Sequence, residues 1–142
     1  MRQPARITLI FHCLITQFTF LVSHSIDVCV FAFTDARLYS VLVEAFKRNV
    51  RVRVIVDDQM ANMKSAKAAE LSKQGVPVRM DSSPFHMHHK FAIVDAHVIL
   101  TGSFNWTVQA QRSNRENLLI TTDSSILLPF ASEFEHLWAQ YA

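Results

Sequence analysis

The chain has 142 residues, half of them hydrophobic and 11% aromatic, which excludes disorder and suits one packed domain with a single core. A net charge of +2 is too small to argue for a nucleic-acid partner by itself. The two cysteines, Cys13 and Cys29, are not arranged with histidines as a zinc-ligand cluster, so no structural zinc is expected.

Residues 1–24 form an apolar N-terminal segment, in which Arg2 and Arg6 precede a mostly apolar run from Ile7 to Val22 and no acidic residue occurs before Asp27. The run is about 16 residues long and carries Thr8, His12, Thr16, Gln17 and Thr19, whereas a membrane-spanning helix needs about 20. A short anchor, a signal-like segment, an acid-free targeting stretch, a first helix and a start foreign to the domain all stay open. Ile26 to Phe33 then alternates and becomes continuously apolar, the pattern of a strand buried on both faces, with Cys29 as a small buried hydrophobe. Thr34 or Asp35 caps a helix whose Leu38, Val41, Leu42, Ala45 and Phe46 fall at helical spacing. Val50 to Val56 is the next strand, so strand, helix and strand make a parallel crossover. It ends at Asp57-Asp58, which reads as a loop initiator rather than a hydrolytic acid pair.

A polar helix is predicted from Asn62 to Gln74, stopped by Gly75 in the left-handed conformation. In the short strand Val76 to Arg79, Pro77 argues for an edge. Phe91 to Val94 and Val98 to Leu100 are β-branched runs that read as a hairpin turning at Asp95. A helix begins near Asn105 or Trp106, a strand covers Glu116 to Thr121, and Asp123 or a neighbour caps a last helix striped with Phe130, Phe134, Leu137, Trp138 and Tyr141. The implied fold class is α/β, with a central mixed, largely parallel sheet flanked by helices on both faces.

The hairpin concentrates the chemistry. His88 and Lys90 are two apart on an extended chain and leave it on the same face, while Gly102, Ser103 and Asn105 follow the second strand, where the glycine permits a bend. An imidazole, an ammonium, a hydroxyl and an amide with no carboxylate among them suit a phosphate. His86 and His89 complete a His-x-His-His run, but no nearby carboxylate or cysteine joins them and His89 alternates to the opposite face, so no metal is expected. Cations gather at Lys47, Arg48, Arg51 and Arg53 and at Lys64, Lys67 and Lys73; they read as solvated faces unless they line a cleft.

His88-x-Lys90, Asp95 and Gly102-Ser103-x-Asn105 reproduce the HxKxxxxDxxxxxxGSxN signature of the phospholipase D superfamily. At roughly 5% usage per residue type, six fixed positions recur by chance at about one start in ~10⁸. The words around them, including Thr101-Gly-Ser-Phe-Asn-Trp-Thr107 and Asn114-Arg-Glu-Asn117, resemble one branch, the mitochondrial cardiolipin hydrolases or Zucchini-type endonucleases. The resemblance covers about Ser25 to Tyr141, making 25–142 a phospholipase D-like phosphodiesterase domain with one motif per chain.

What the resemblance implies is a metal- and cofactor-independent phosphodiester hydrolase. His88 attacks phosphorus and forms a phosphohistidine, and a second histidine protonates the leaving oxygen. With one motif per chain, that histidine comes from a second copy, so a homodimer with its active site at the interface is expected. By the same resemblance Lys90, Ser103 and Asn105 bind the phosphate oxygens, Glu116 fixes the histidine tautomer, and Asp95 ties the turn. The substrate is either cardiolipin, cut to phosphatidate at the mitochondrial outer membrane, or single-stranded RNA, cut in piwi-interacting RNA biogenesis. A non-catalytic phosphate- or membrane-binding module is the remaining class.

Overall fold

In the computed structural model, residues 22–142 are described, so the readings of 1–21, Cys13 among them, lie outside the described residues. Six strands form one sheet in the order β3-β2-β1-β4-β5-β6: β1 Ser25–Val30, β2 Arg51–Val56, β3 Val78–Met80, β4 Lys90–Val94, β5 Val98–Gly102 and β6 Leu118–Thr121. The helices are α1 Ala36–Lys47, α2 Asp58–Ala61, α3 Ala68–Lys73, α4 Val108–Arg112 and α5 Ser124–Gln140. The mixed sheet with helical layers is as the sequence implies. Parallel pairing, however, is confined to β1, β2 and β3, and the pairs β1–β4, β4–β5 and β5–β6 are antiparallel. A tight turn joins β4 to β5 and permits only antiparallel pairing, while β6 returns antiparallel to β5 after α4.

Period-two alternation divides the core between the two faces. Val28, Val30, Val52 and Val54 pack against Leu38 and Leu42 of α1, Leu71 of α3 and Ala110 of α4. Cys29, Ile55, Phe91 and Ile99 pack against Phe134 and Leu137 of α5, whose aromatic stripe is core as expected.

Local signals end these elements where they stand. Asp35 caps α1 through the N–H groups of Arg37 and Leu38, and Asp123 caps α5 through Ser125. Gly75, at φ 88°, follows α3 as predicted, with its own N–H bonded to Ser72 O and that of Val76 to Leu71 O. β3 is an edge strand, consistent with Pro77.

Of the predicted helix 62–74 only Ala68–Lys73 is helical, preceded by the separate turn α2, and the reason is tertiary. Asp57 caps α2 directly after β2, and the N–H of Lys67 donates to the distant carbonyl of Phe33 at 2.9 Å, which draws the chain out of helical register before α3. The helix expected at Asn105 or Trp106 starts instead at Val108, capped by Thr107, because Trp106 bridges to Phe33 beside β1. The domain also reaches further back than residue 25. Val22 is buried in the core, and the N–H groups of Ser23 and His24 bond Asp95.

Register determines which residues meet. Val30 pairs with Val56, and Val56 with Met80, so β1, β2 and β3 all end at one edge of the sheet. Antiparallel β4 begins there, with Lys90 opposite Val30, and β5 ends there at Gly102.

Candidate active site

Phe31, the residue after β1, is the floor of that edge, and its N–H donates to His89 O at 2.8 Å. The His88 ring lies 4.6 Å from the Phe31 ring, the His86 ring 5.2 Å, and Lys90 Nζ 5.2 Å from its centroid. Sequence reasoning did not single out Phe31; its only signal was an apolar run continuing past the strand. Lys90 Nζ donates to His88 O at 2.8 Å and sits 3.2 Å from His88 Nδ1. Partial burial first, then the charges of Lys90 and His86, push the His88 pKa below its ordinary value. Burial also lowers that of Lys90, against an opposing pull from Glu116. The pair therefore combines a neutral imidazole, with a lone pair available for attack, and a cation beside it.

Ser103 and Glu116 meet, but in a different relation from the one expected. The Ser103 hydroxyl donates to Glu116 Oε2 and accepts from the N–H of Asn117 at 3.0 Å, while Asn114 Nδ2 donates to Glu116 Oε1 at 2.9 Å. Both carboxylate oxygens have donors other than His88, and the carboxylate charge felt at His88 comes from Asp57. Ser103 thus spends its proton on Glu116. Gly102 does not supply a bend: it is the last residue of β5, and a Cβ there would overlap the Asn117 carbonyl oxygen, so glycine is what lets β5 and β6 approach.

Asn105 stands between the buried anchors Phe104 and Trp106, the latter tied to β1 by its N–H to Ala32 O at 3.0 Å. Its Oδ1 is buried with no donor among the described residues. Asp95 is not part of this constellation. It occupies the turn at the opposite end of β4, about 16 Å of strand from Lys90. There its carboxylate accepts N–H bonds from His24 at 2.9 Å, Ser25 at 2.8 Å and Ser23 at 3.2 Å. Asp95 and Ala96 both have φ near 50°, the left-handed pair of a tight two-residue hairpin turn.

His89 points to the other face, as alternation requires, 3.6 Å from Glu133 and edge-on to Phe91. The reasoning that no carboxylate attends the histidines fails in space. Fully buried Asp57, at the end of β2, has Oδ2 3.0 Å from His86 Nδ1. Asp57, Asp58 and Asp81 bring carboxylate oxygens within 4.8 Å of one another, but Asp57 also accepts from the N–H groups of Met60 and Met87, and Asp81 from that of Asp58.

Three of the seven clustered cations, Arg51, Arg53 and Lys67, are held in ion pairs elsewhere. Arg53 makes a two-point contact with Asp27 at 2.8 and 3.0 Å and reaches Glu135 at 2.6 Å under α5, while Arg51 pairs with Asp27 at 3.2 Å. Arg51 is in register with Ser25, at the edge of the sheet away from His88. Lys67 pairs with Glu70 at 2.8 Å. At the His88 edge, Met80 and Phe85 are exposed.

Residues 20–138 match the family model described as "Cardiolipin synthase, PLD-like domain". The chain belongs to the phospholipase D-like family. Among members of this family, it is 48% identical over 117 residues to the mitochondrial cardiolipin hydrolase of Xenopus laevis and 45% identical to that of Homo sapiens. These alignments cover 82% of the chain but 56% and 46% of the relatives, so the chain spans about half their length. Nuc from Salmonella typhimurium, a phospholipase D family member, superposes with a TM-score of 0.82 at 30% identity, covering 92% of this chain and 88% of Nuc. NucT from Helicobacter pylori shares the fold at the same TM-score and 21% identity.

Proposed function

We propose that the chain hydrolyses phosphodiesters through a covalent phosphohistidine on His88, with cardiolipin as substrate and phosphatidate as product. The observation that carries this reading is the contact of Lys90 with a His88 whose pKa is held down, a nucleophile and a phosphate-binding cation two residues apart at the head of β4. A ring nitrogen of neutral His88 attacks phosphorus, the bond to the leaving oxygen breaks, and that oxygen takes a proton from the second histidine. Water then attacks the phosphohistidine, the same second histidine takes its proton, and His88 is released. The second histidine is the His88 of a second copy, in a homodimer with the active site on its two-fold axis. Lys90 and Asn105 bind the non-bridging oxygens. Ser103 acts by holding Glu116, whose charge keeps Lys90 protonated beside the phosphate. No step requires a metal.

Lipid is favoured over single-stranded RNA because Arg53 is buried in ion pairs and Arg51 stands at the far edge, while apolar Met80 and Phe85 are exposed at the site's own edge. The mitochondrion, specifically its outer membrane, is the proposed location, in keeping with the names of the relatives. No helix among the described residues is long and apolar enough to cross a membrane.

The test is hydrolysis by the purified chain, with and without EDTA, of cardiolipin vesicles and labelled single-stranded RNA in parallel, with His88→Ala as the blank. Phosphatidate release is expected. RNA fragments alone would transfer the reading to an RNA endonuclease. Silence on both from a folded dimer would overturn catalysis and leave a binding module, and loss of activity in EDTA would refute metal independence.

A further inference from the structure

His86 lies outside the phospholipase D signature, yet it is built into the same mouth as His88. It is two residues upstream on an extended chain, so both rings leave on one side, and both contact the Phe31 ring. Two extended residues span about 7 Å at most. Its Nδ1 is 3.0 Å from Oδ2 of the fully buried Asp57. A carboxylate can only accept, so Nδ1 carries a hydrogen, and Nε2 is the nitrogen that Asp57 does not occupy. With 48% of the side chain exposed, that edge of the ring is open to solvent and to ligand.

We infer that His86 is a second anion subsite, which binds the phosphate flanking the one His88 attacks. The inference deepens the proposed function and rests on it. As an imidazolium, the ring donates a charge-assisted hydrogen bond from Nε2 to a phosphate oxygen, while Asp57 holds Nδ1 from behind and fixes the ring's orientation. Two phosphates joined through a three-carbon glycerol or ribose are separated by about the reach between residues 86 and 88. The ligand is therefore a phosphodiester with a phosphate neighbour, whether in a two-phosphate lipid or an oligonucleotide. The charged groups around His86 are Asp57 at the end of β2, Asp58 at the start of α2, Asp81 after β3, and His88 and Lys90 on its own segment.

The experiment compares wild type with His86→Gln and His86→Lys at pH 6 and pH 8, on matched substrates: cardiolipin against phosphatidylglycerol in the same micelles, and oligouridylate against the dinucleotide UpU. Glutamine keeps an amide hydrogen for Asp57 but cannot become a cation, whereas lysine is cationic at both values. The expected result is a KM preference for the substrate with more phosphates that falls about tenfold in His86→Gln at pH 6 and persists in His86→Lys at both values. The lipid and RNA pairs show which source of phosphate the subsite meets. An unchanged preference in His86→Gln at pH 6, or an equal rise in KM for both members of a pair, would overturn the subsite and leave His86 as a lid on Asp57. If wild type cleaves nothing, the proposed function falls separately. Vesicle flotation with cardiolipin and phosphatidylglycerol then decides the subsite: a cardiolipin preference lost in His86→Gln supports it, and equal binding refutes it.

Discussion

Replacing Arg53 by Met separates a basic substrate groove from a structural latch. The Arg53 side chain is 11% exposed, as is that of Asp27, and its guanidinium also lies 4.8 Å from the Phe134 ring and 5.3 Å from that of Trp138. Burial alone would lower its pKa, but the hydrogen bonds and charges of Asp27 and Glu135 raise it well above the ordinary value. Methionine fills most of the volume but leaves Asp27 facing only Arg51, whose side chain is 56% exposed. Stranding a buried partner costs about 3–5 kcal/mol, and the remaining Arg51 contact argues for the lower end. Glu135, 61% exposed, adds about 0.5 kcal/mol at most. With an unfolding entropy of about 2.1 cal/mol/K per residue, 142 residues convert about 3 kcal/mol into a fall in Tm of about 10 °C. Differential scanning calorimetry of Arg53→Met, Asp27→Asn and the double variant should show this loss and a coupling of at least about 1 kcal/mol. Below the transition, KM for lipid and for RNA should match wild type. A Tm within 2 °C of wild type would refute the latch, and a KM for RNA raised tenfold in the folded variant would return Arg53 to a substrate groove.

The remaining tests probe the frame and the chemistry. Burial alone would raise the Asp95 pKa, but the N–H groups of Ser25, Ser23 and His24 draw it below 3.8. Its stabilisation is therefore present above the unfolded carboxylate value and lost as pH falls through the lower folded value. Asp95→Asn, which keeps the left-handed turn, should cost about 1 kcal/mol at pH 7 and less as the pH falls below the unfolded carboxylate value; a loss independent of pH would refute the charge argument. Gly102→Ala should force β5 from β6, lowering stability by about 2 kcal/mol or more and removing turnover through displacement of Ser103 and Glu116; an unchanged Tm would refute the close approach. The acid limb of kcat/KM should lie below pH 6.5, because the His88 pKa is lowered; a limb above 7 would argue against His88 as the neutral nucleophile.

Much of the site was legible in the sequence because its signals are local. His88 and Lys90 share a face because alternation along an extended chain demands it, and they are in contact. Ser103 and Glu116 were both identified, yet their bond to each other was not, since it depends on how closely β6 approaches β5 across Gly102. Asp95 belongs to the signature but not to the pocket, a distinction that spacing cannot make because a strand can end in a turn at either edge. Asp57 was read as a loop initiator, which its bond to the Met60 N–H supports, but its second role against His86 comes from a residue 29 positions away.

The chain's own residues determined the hairpin, the capped helices and the edge position of β3, because period, caps, glycine and proline act within a few residues of where they stand. Tertiary structure alone decided the rest. The Phe33 carbonyl cut short a helix that propensity favoured, ion pairs under α5 consumed Arg53, and the common end of the parallel strands brought Phe31 and Asp57 to His86 and His88. Each of these depends on contacts between residues distant in sequence, where pairing energy and burial outweigh local preference.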